Sequence, residues 1–400
     1  MNFVEYKEKA GSCSFCGNSP VPHIPTFVFQ TFNIFVGLVY QRLVSMKIYR
    51  VITLGIRYVF SWVQRMHYPL AMHLGVLRFS DVLEKATTYR SQVIWEEAQK
   101  RGVPMQQMIV FGRAVDVYRM LLQGHWWYFE SIPLPYWLDQ SDYAWMDDKY
   151  LLKERLAKHA IPMPRCVSVT NEKQAIAAFK TFSGPVVVKP RIGSRARHTT
   201  VNVTTEKELL IAFHCAQQLC FNVVIEEYLL GSVCRATTVG GVLRGFLRGE
   251  APFVVGNGTD TVEQLVTAKN AVRPERVAEI TLTADHDSHM RRQGYSRNSI
   301  PNKDVVVSLN LHTGRLFGGE TEEYGEAIHP SIKSAIESAA KALSAPLIGF
   351  DIILQDPLSE PRKDSWGIIE ANTLPFIDLH YLPLKGYPSP IAKYIFDLWE

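Results

Sequence analysis

Between Glu8 and Asp81 the chain carries no acidic residue, although Lys9, Arg42, Lys47, Arg50, Arg57, Arg65 and Arg78 lie there. A stretch so depleted of one charge sign is a unit of its own, and residues 1–80 read as an apolar, basic, helical segment. Also lacking are a cleavable apolar leader, internal repeats, low-complexity linkers and any disulfide-type spacing of the six cysteines. These absences exclude a disulfide-stapled secreted fold, a repeat array and a disordered chain, and they suit a cytoplasmic protein. A net charge of +4 spread over 400 residues excludes a nucleic-acid partner of the usual strongly basic kind.

What remains is ordinary globular composition, 47% hydrophobic and 20% charged. Within residues 24–65, helical periodicity puts Arg42, Lys47, Arg50, Arg57 and Arg65 on one side of an apolar helix. Such a stripe suits peripheral contact with an anionic membrane; the plainer reading is a core or homodimer helix with a solvated basic face. Gln30, Asn33 and Gln41 argue against a span. Residues 81–146 read as a small α/β domain: a helix in "SDVLEKATTYRSQVIWEEAQKRGV" capped by Ser80, then a strand in "MQQMIVFG". From 147 to 400 strands alternate with helices.

Some strands carry polar groups that packing does not need. In "GIIEANTLP" strand alternation puts Ile368, Glu370 and Asn372 on one face, with Ile369 and Ala371 on the other. "LIGFDIIL" sets Asp351 among apolar neighbours. Two carboxylates and an amide oxygen on adjacent strands form a hard-oxygen site of the kind Mg²⁺ takes; salt bridges to nearby Lys or Arg explain them as well. Lys189 ends the apolar strand "PVVVKP", where it can lie along a phosphate chain or snorkel to the surface. "CSFCG" at Cys13 to Cys16 is half a zinc pattern without a second Cys or His pair nearby, and is expected to stay metal-free. "DHDSHM" (Asp285 to Met290) is expected to be structural, and Glu320, Glu322 and Glu323 to lie in a solvated loop.

Lys149 in "DDK", Lys189 in "VVVKP", "IEEYL", Arg235, Arg248, "GFD" and "IIEAN" follow one another in an order that resembles the ATP-grasp ligases. The likeness runs from about Asp147 to the C-terminus and is greatest to the ATP-grasp domain of cyanophycin synthetase and bifunctional glutathione synthetase. "FVVGNGTDTVEQLVTAKN" and "NTLPFIDLHYLPLKGYPSPIAKYIFDLW" extend it. It implies an α+β ATP-grasp fold over 147–400, two subdomains clasping ATP, behind the small domain and the N-terminal segment. Lys149, Lys189 and Gly193 would contact ATP phosphates, and Glu226, Glu227, Tyr228 and Leu229 would hold the adenine mainly through backbone groups. Asp351, Glu370 and Asn372 would carry one or two Mg²⁺, with Mn²⁺ as a substitute, while Arg248 would stabilise an acyl phosphate and Arg235 support the site. The activity implied is carboxylate–amine ligation with an amino acid or peptide as substrate. A nucleotide-binding module without catalysis is the alternative.

The chain also departs from that pattern. Its lid loop "RIGSRARHTT" keeps one glycine, Gly193, where the family has several, and Ser232 and Val233 stand where an acid would face the ribose. Phe376 and Asp378 replace a glycine and an arginine, so Asp378 is expected to face a cationic part of the substrate, with His380 orienting it or packing. Neither a γ-glutamylcysteine ligase domain nor a Mur-ligase-like domain is recognisable, so neither glutathione nor cyanophycin is implied as the product.

Overall fold

The computed structural model describes residues 13–16, 20–44, 68, 70–83, 86–135, 145–193, 195–362 and 364–400. The first helix, α1, spans His23–Val44. The expected stripe of Arg42, Lys47, Arg50, Arg57 and Arg65 falls outside the described side chains. Among the described residues no helix is long and apolar enough to cross a membrane.

An antiparallel meander follows, β1 (Leu77–Ser80), β2 (Met105–Val110), β3 (Arg113–Leu122) and β4 (His125–Glu130). Pairing of Leu77 with Val110 draws into this sheet four residues expected to belong to the N-terminal segment. It also overrides the expected Ser80 cap. Ser80 is extended opposite Gln107, and the helix α2 (Tyr89–Lys100) starts later, where the Thr88 side chain accepts the Ser91 N–H at 3.1 Å. Val93, Ile94, Trp95 and Ala98 of α2 pack with Tyr118, Met120 and the C-terminal helix residues Ile391, Ile395 and Phe396 in one core.

Helix α3 (Lys149–Leu156) leads into a sheet ordered β5 (Cys166–Val169), β8 (Val223–Glu227), β6 (Val186–Pro190) and β7 (Thr200–Val203). Helices α4 (Glu172–Phe179) and α5 (Glu206–Gln217) cover it, and valines of alternate strand positions fill the space between. The largest sheet is ordered β15 (Gly367–Asn372), β14 (Leu347–Leu354), β9 (Ser232–Val239), β10 (Val242–Gly249), β13 (Thr321–Glu323) and β16 (Lys385–Gly386), and β11 (Phe253–Val255) pairs separately with β12 (Val306–Ser308). Its core face is closed by the helix Pro330–Leu343, whose Ile332, Ile336, Ala339, Ala340 and Leu343 recur at helical spacing against Ile348, Phe350 and Ile352. The other face carries Glu370, Asp351 and Arg235 at one end, while Leu347 and Val239 at the other pack with Ile391 and Ile395 of the C-terminal helix.

Strand β15 corrects one expectation. Glu370 pairs with Asp351 but Ile368 pairs with Ile352, so the register shifts by one residue around Ile369. Ile368 therefore lies in the core with Ala371, and does not share a face with Glu370 and Asn372.

Candidate active site

Glu370, Asp351 and Arg235 lie opposite one another in a row across β15, β14 and β9. Arg235 Nε sits 2.9 Å from Asp351 Oδ1, and Nη2 donates to Oδ2 at 3.2 Å. A Cβ on Gly349 would come within 2.6 Å of Arg235 Nη1, so the glycine of "GFD" gives the guanidinium its room. Asn372 donates Nδ2–H to Gly349 O at 3.3 Å, with its amide against the Asp351 carboxyl. Burial pushes Asp351 up to about 6 despite Arg235, and Glu370 adds to the rise. Burial and then Glu370 do the same to Asp147, also to about 6.

The facing wall is built from α3 and the strands β6 and β8. Asp148 caps α3 through the N–H groups of Tyr150 (3.0 Å) and Leu151 (3.2 Å), and also accepts Arg191 Nε at 2.8 Å. It thereby fastens the start of the lid loop to the helix. Lys149 Nζ lies 3.3 Å from Glu370 Oε2 and donates to Gly193 O at 2.6 Å. One turn later Lys153 pairs with Glu226, which also takes Lys189 Nζ at 2.9 Å. Burial draws Lys153 down to about 8 and holds Lys189 well below its usual value. Three ammonium groups, Lys149, Lys153 and Lys189, thus share the carboxylates Glu226 and Glu370. A polyphosphate fits such a wall, and the hard oxygens opposite fit Mg²⁺.

The four hinge residues do not act alike. Glu226 turns its buried carboxylate into the lysines, while the N–H groups of Glu227 and Tyr228 are bonded to Arg165 O (2.9 Å) and Pro185 O (3.1 Å). Arg248 corrects a site expectation, and His380 takes the packing alternative. Arg248 pairs in register with Cys234 and Glu322, and Cys234 belongs to the core face, so Arg248 points away from Asp351 and meets Glu250 at 3.2 Å. His380 is fully buried with both ring nitrogens engaged, Nε2 with Thr237 Oγ1 and Nδ1 with Glu323 Oε2, each at 2.7 Å. It packs, and has no nitrogen left for substrate. The same network takes Glu323 out of the expected solvated loop.

Asp378 keeps a polar role. Its Oδ2 lies 3.4 Å from Arg315 Nη2, and its Oδ1 is buried without a hydrogen-bond partner among the described residues. Beside it Arg90 and Arg195 stack on Phe376. "DHDSHM" is satisfied locally: Asp287 pairs with Arg297, His286 with Thr283, His289 with Ser308. Sequence reasoning missed Asp147, Lys153 and Arg315. The four-residue spacing from Lys149 could have found Lys153; nothing local marks Arg315.

No family model matches the chain. It is 30% identical over 254 residues to the glutathione biosynthesis bifunctional protein of Mannheimia succiniciproducens, covering 60% of this chain and 33% of that one. It is 26% identical over 358 residues to cyanophycin synthetase of Nostoc sp., covering 86% and 39%. The crystal structure of a bifunctional glutathione synthetase from Pasteurella multocida superposes with a TM-score of 0.56 at 23% identity, over 78% of this chain and 43% of that one. The chain has the ATP-grasp fold. It spans between a third and two fifths of the length of these curated relatives. Within this ATP-grasp fold the row of Glu370, Asp351 and Arg235 belongs to the large sheet, and the lysine wall to α3 and the smaller sheet.

Proposed function

We propose that this chain is an ATP-dependent carboxylate–amine ligase that joins an amino acid or peptide to an amine through an acyl phosphate. The observation that carries the reading is the wall of Lys149, Lys153 and Lys189 set against the oxygens of Asp351, Glu370 and Asn372. Magnesium-bound ATP supplies the phosphoryl group that activates a carboxylate. The lysines hold the phosphates and spread their charge, Asp351, Glu370 and Asn372 hold the metal, and Mn²⁺ fits the same oxygens. Arg235 orients Asp351, and Leu229 offers the hinge N–H. Asp378, whose buried Oδ1 has no hydrogen-bond partner among the described residues, receives the ammonium of the amine substrate.

The test is ADP release by the full chain with Mg²⁺-ATP and pools of amino acids and short peptides, beside Glu370→Gln. Pool-dependent ADP release that the substitution abolishes supports ligation. The orientation of Arg248 favours a second reading, a nucleotide-binding module that does not ligate. Calorimetric binding of Mg²⁺-ATP with no ADP release from any pool would select it.

A further inference from the structure

A second cluster lies outside the cleft. Cys13 and Cys16 flank a tight turn in which Cys16 N–H donates to Cys13 O at 3.1 Å, so both thiols project together. His23 opens α1. His198 arrives from the lid loop, 182 residues beyond Cys16, and its backbone N–H donates to Phe15 O at 2.8 Å. The sulfurs and ring nitrogens of these four residues all lie within 4.8 Å of one another.

We propose that Cys13, Cys16, His23 and His198 form a structural zinc site that ties the N-terminal segment to the lid loop. This goes beyond the ligase reading and does not depend on it. The separations support it: Cys16 Sγ is 3.3 Å from His23 Nε2 and 3.3 Å from His198 Nε2, and Cys13 Sγ is 3.6 Å from His198 Nε2. A tetrahedral zinc with S and N ligands at their usual lengths has S···N edges of about 3.5 Å. His198 is buried, and its Nδ1 meets Cys215 O at 2.7 Å, so Nδ1 carries the proton and Nε2 is free to ligate. A ligating imidazole is ordinarily fixed in this way, by donating its other N–H to a carbonyl.

The composition selects the metal class. With no carboxylate from Lys9 to Ser80, the segment offers thiolates and imidazoles rather than hard oxygens. Binding releases the two thiol protons and leaves the zinc dithiolate neutral, which suits a half-buried site. All four positions are filled by protein, the closed arrangement of a structural rather than a catalytic zinc. The consequence lies in the loop. Arg195, Ala196 and His198 take left-handed backbone conformations (φ 60°, 53° and 52°) that favour glycine, and a metal crosslink would hold a loop with few glycines in that strained shape.

The experiment uses the full chain purified from zinc-replete cells, with bound metal measured by mass spectrometry. The expected result is about one zinc per chain, and a loss of about ten-fold or more in affinity for Cys13→Ser and for His198→Ala, with Cys166→Ser unchanged. Two measurements need no variant. Replacement by Co²⁺ should give sulfur-to-cobalt charge-transfer bands with tetrahedral ligand-field bands, and chelation should expose Cys13 and Cys16 to alkylation. A chain that carries no stoichiometric zinc and develops no thiolate-to-cobalt band overturns the proposal. So does zinc retained undiminished by both variants, or a Cys13–Cys16 disulfide in the freshly purified protein.

Discussion

The two faces of the large sheet carry arginines only one position apart in cross-strand register, and they do opposite things. Arg235 lies on the open face, held by Asp351 beside Glu370, while Arg248 lies on the face closed by the helix Pro330–Leu343, held by Glu250. Strand pairing puts Leu247, not Arg248, across from Arg235. A shift of one residue sends every side chain to the other face, so two residues alike in type and neighbourhood diverge in role.

Substitutions that respect this division should separate the faces, and the largest effect belongs to the open one. Glu370→Gln is expected to lower the rate of ADP release by about 10²–10³-fold while leaving the melting temperature near that of the parent. Arg235→Ala should act on the fold as well. It strands the buried Asp351 carboxylate and should cost about 3 kcal/mol in urea unfolding, whereas Asp351→Asn in the same background should recover part of that loss. If Arg235→Ala and Arg248→Ala lost equal stability and equal activity, the division between faces would be wrong.

A smaller effect sharpens the account of the substrate end. Asp378→Asn should raise KM for the amine by about ten-fold with kcat little changed, since it removes one charged partner. His380→Asn should instead lower stability and leave KM for every substrate in place, because the ring touches only Thr237 and Glu323 through its nitrogens. pH offers a milder probe. Lys153 loses its charge as pH rises through about 8, so affinity for ATP should fall there. Its folded value lies below the unfolded 10.5, so the folded chain binds fewer protons than the unfolded between these limits, and stability should rise over the same window. Calorimetric titration and thermal melts on either side of that value check the two signs together. Smallest of all, Arg248→Gln should change kcat/KM by no more than about two-fold.

Much of this was legible in the residues, and the failures have physical causes. "PVVVKP", "NVVIEEYL", "LIGFDIIL" and "GIIEAN" read as strands because apolar β-formers fill them, and their charged residues meet at the candidate site. The face of Ile368 was not legible, because the register shift beside it arises from pairing with β14, not from its own sequence. Ser80 looked like a cap until β2 claimed it for a strand, and Thr88 was the cap in use. Half of the Cys and His cluster stood in "CSFCG"; the rest came from seven residues downstream and from a loop far along the chain, a distance that no spacing rule spans.

Asp148 gives the N-terminus of α3 its cap and holds Arg191 with the same carboxylate. Any excursion that draws Arg191 away disturbs the group that also shields two amides of the first helical turn. Opening of the loop and fraying of that turn thereby become a single event on the clock of hydrogen–deuterium exchange. The amides of Tyr150 and Leu151 would report any such excursion of the loop from the helix it is fastened to.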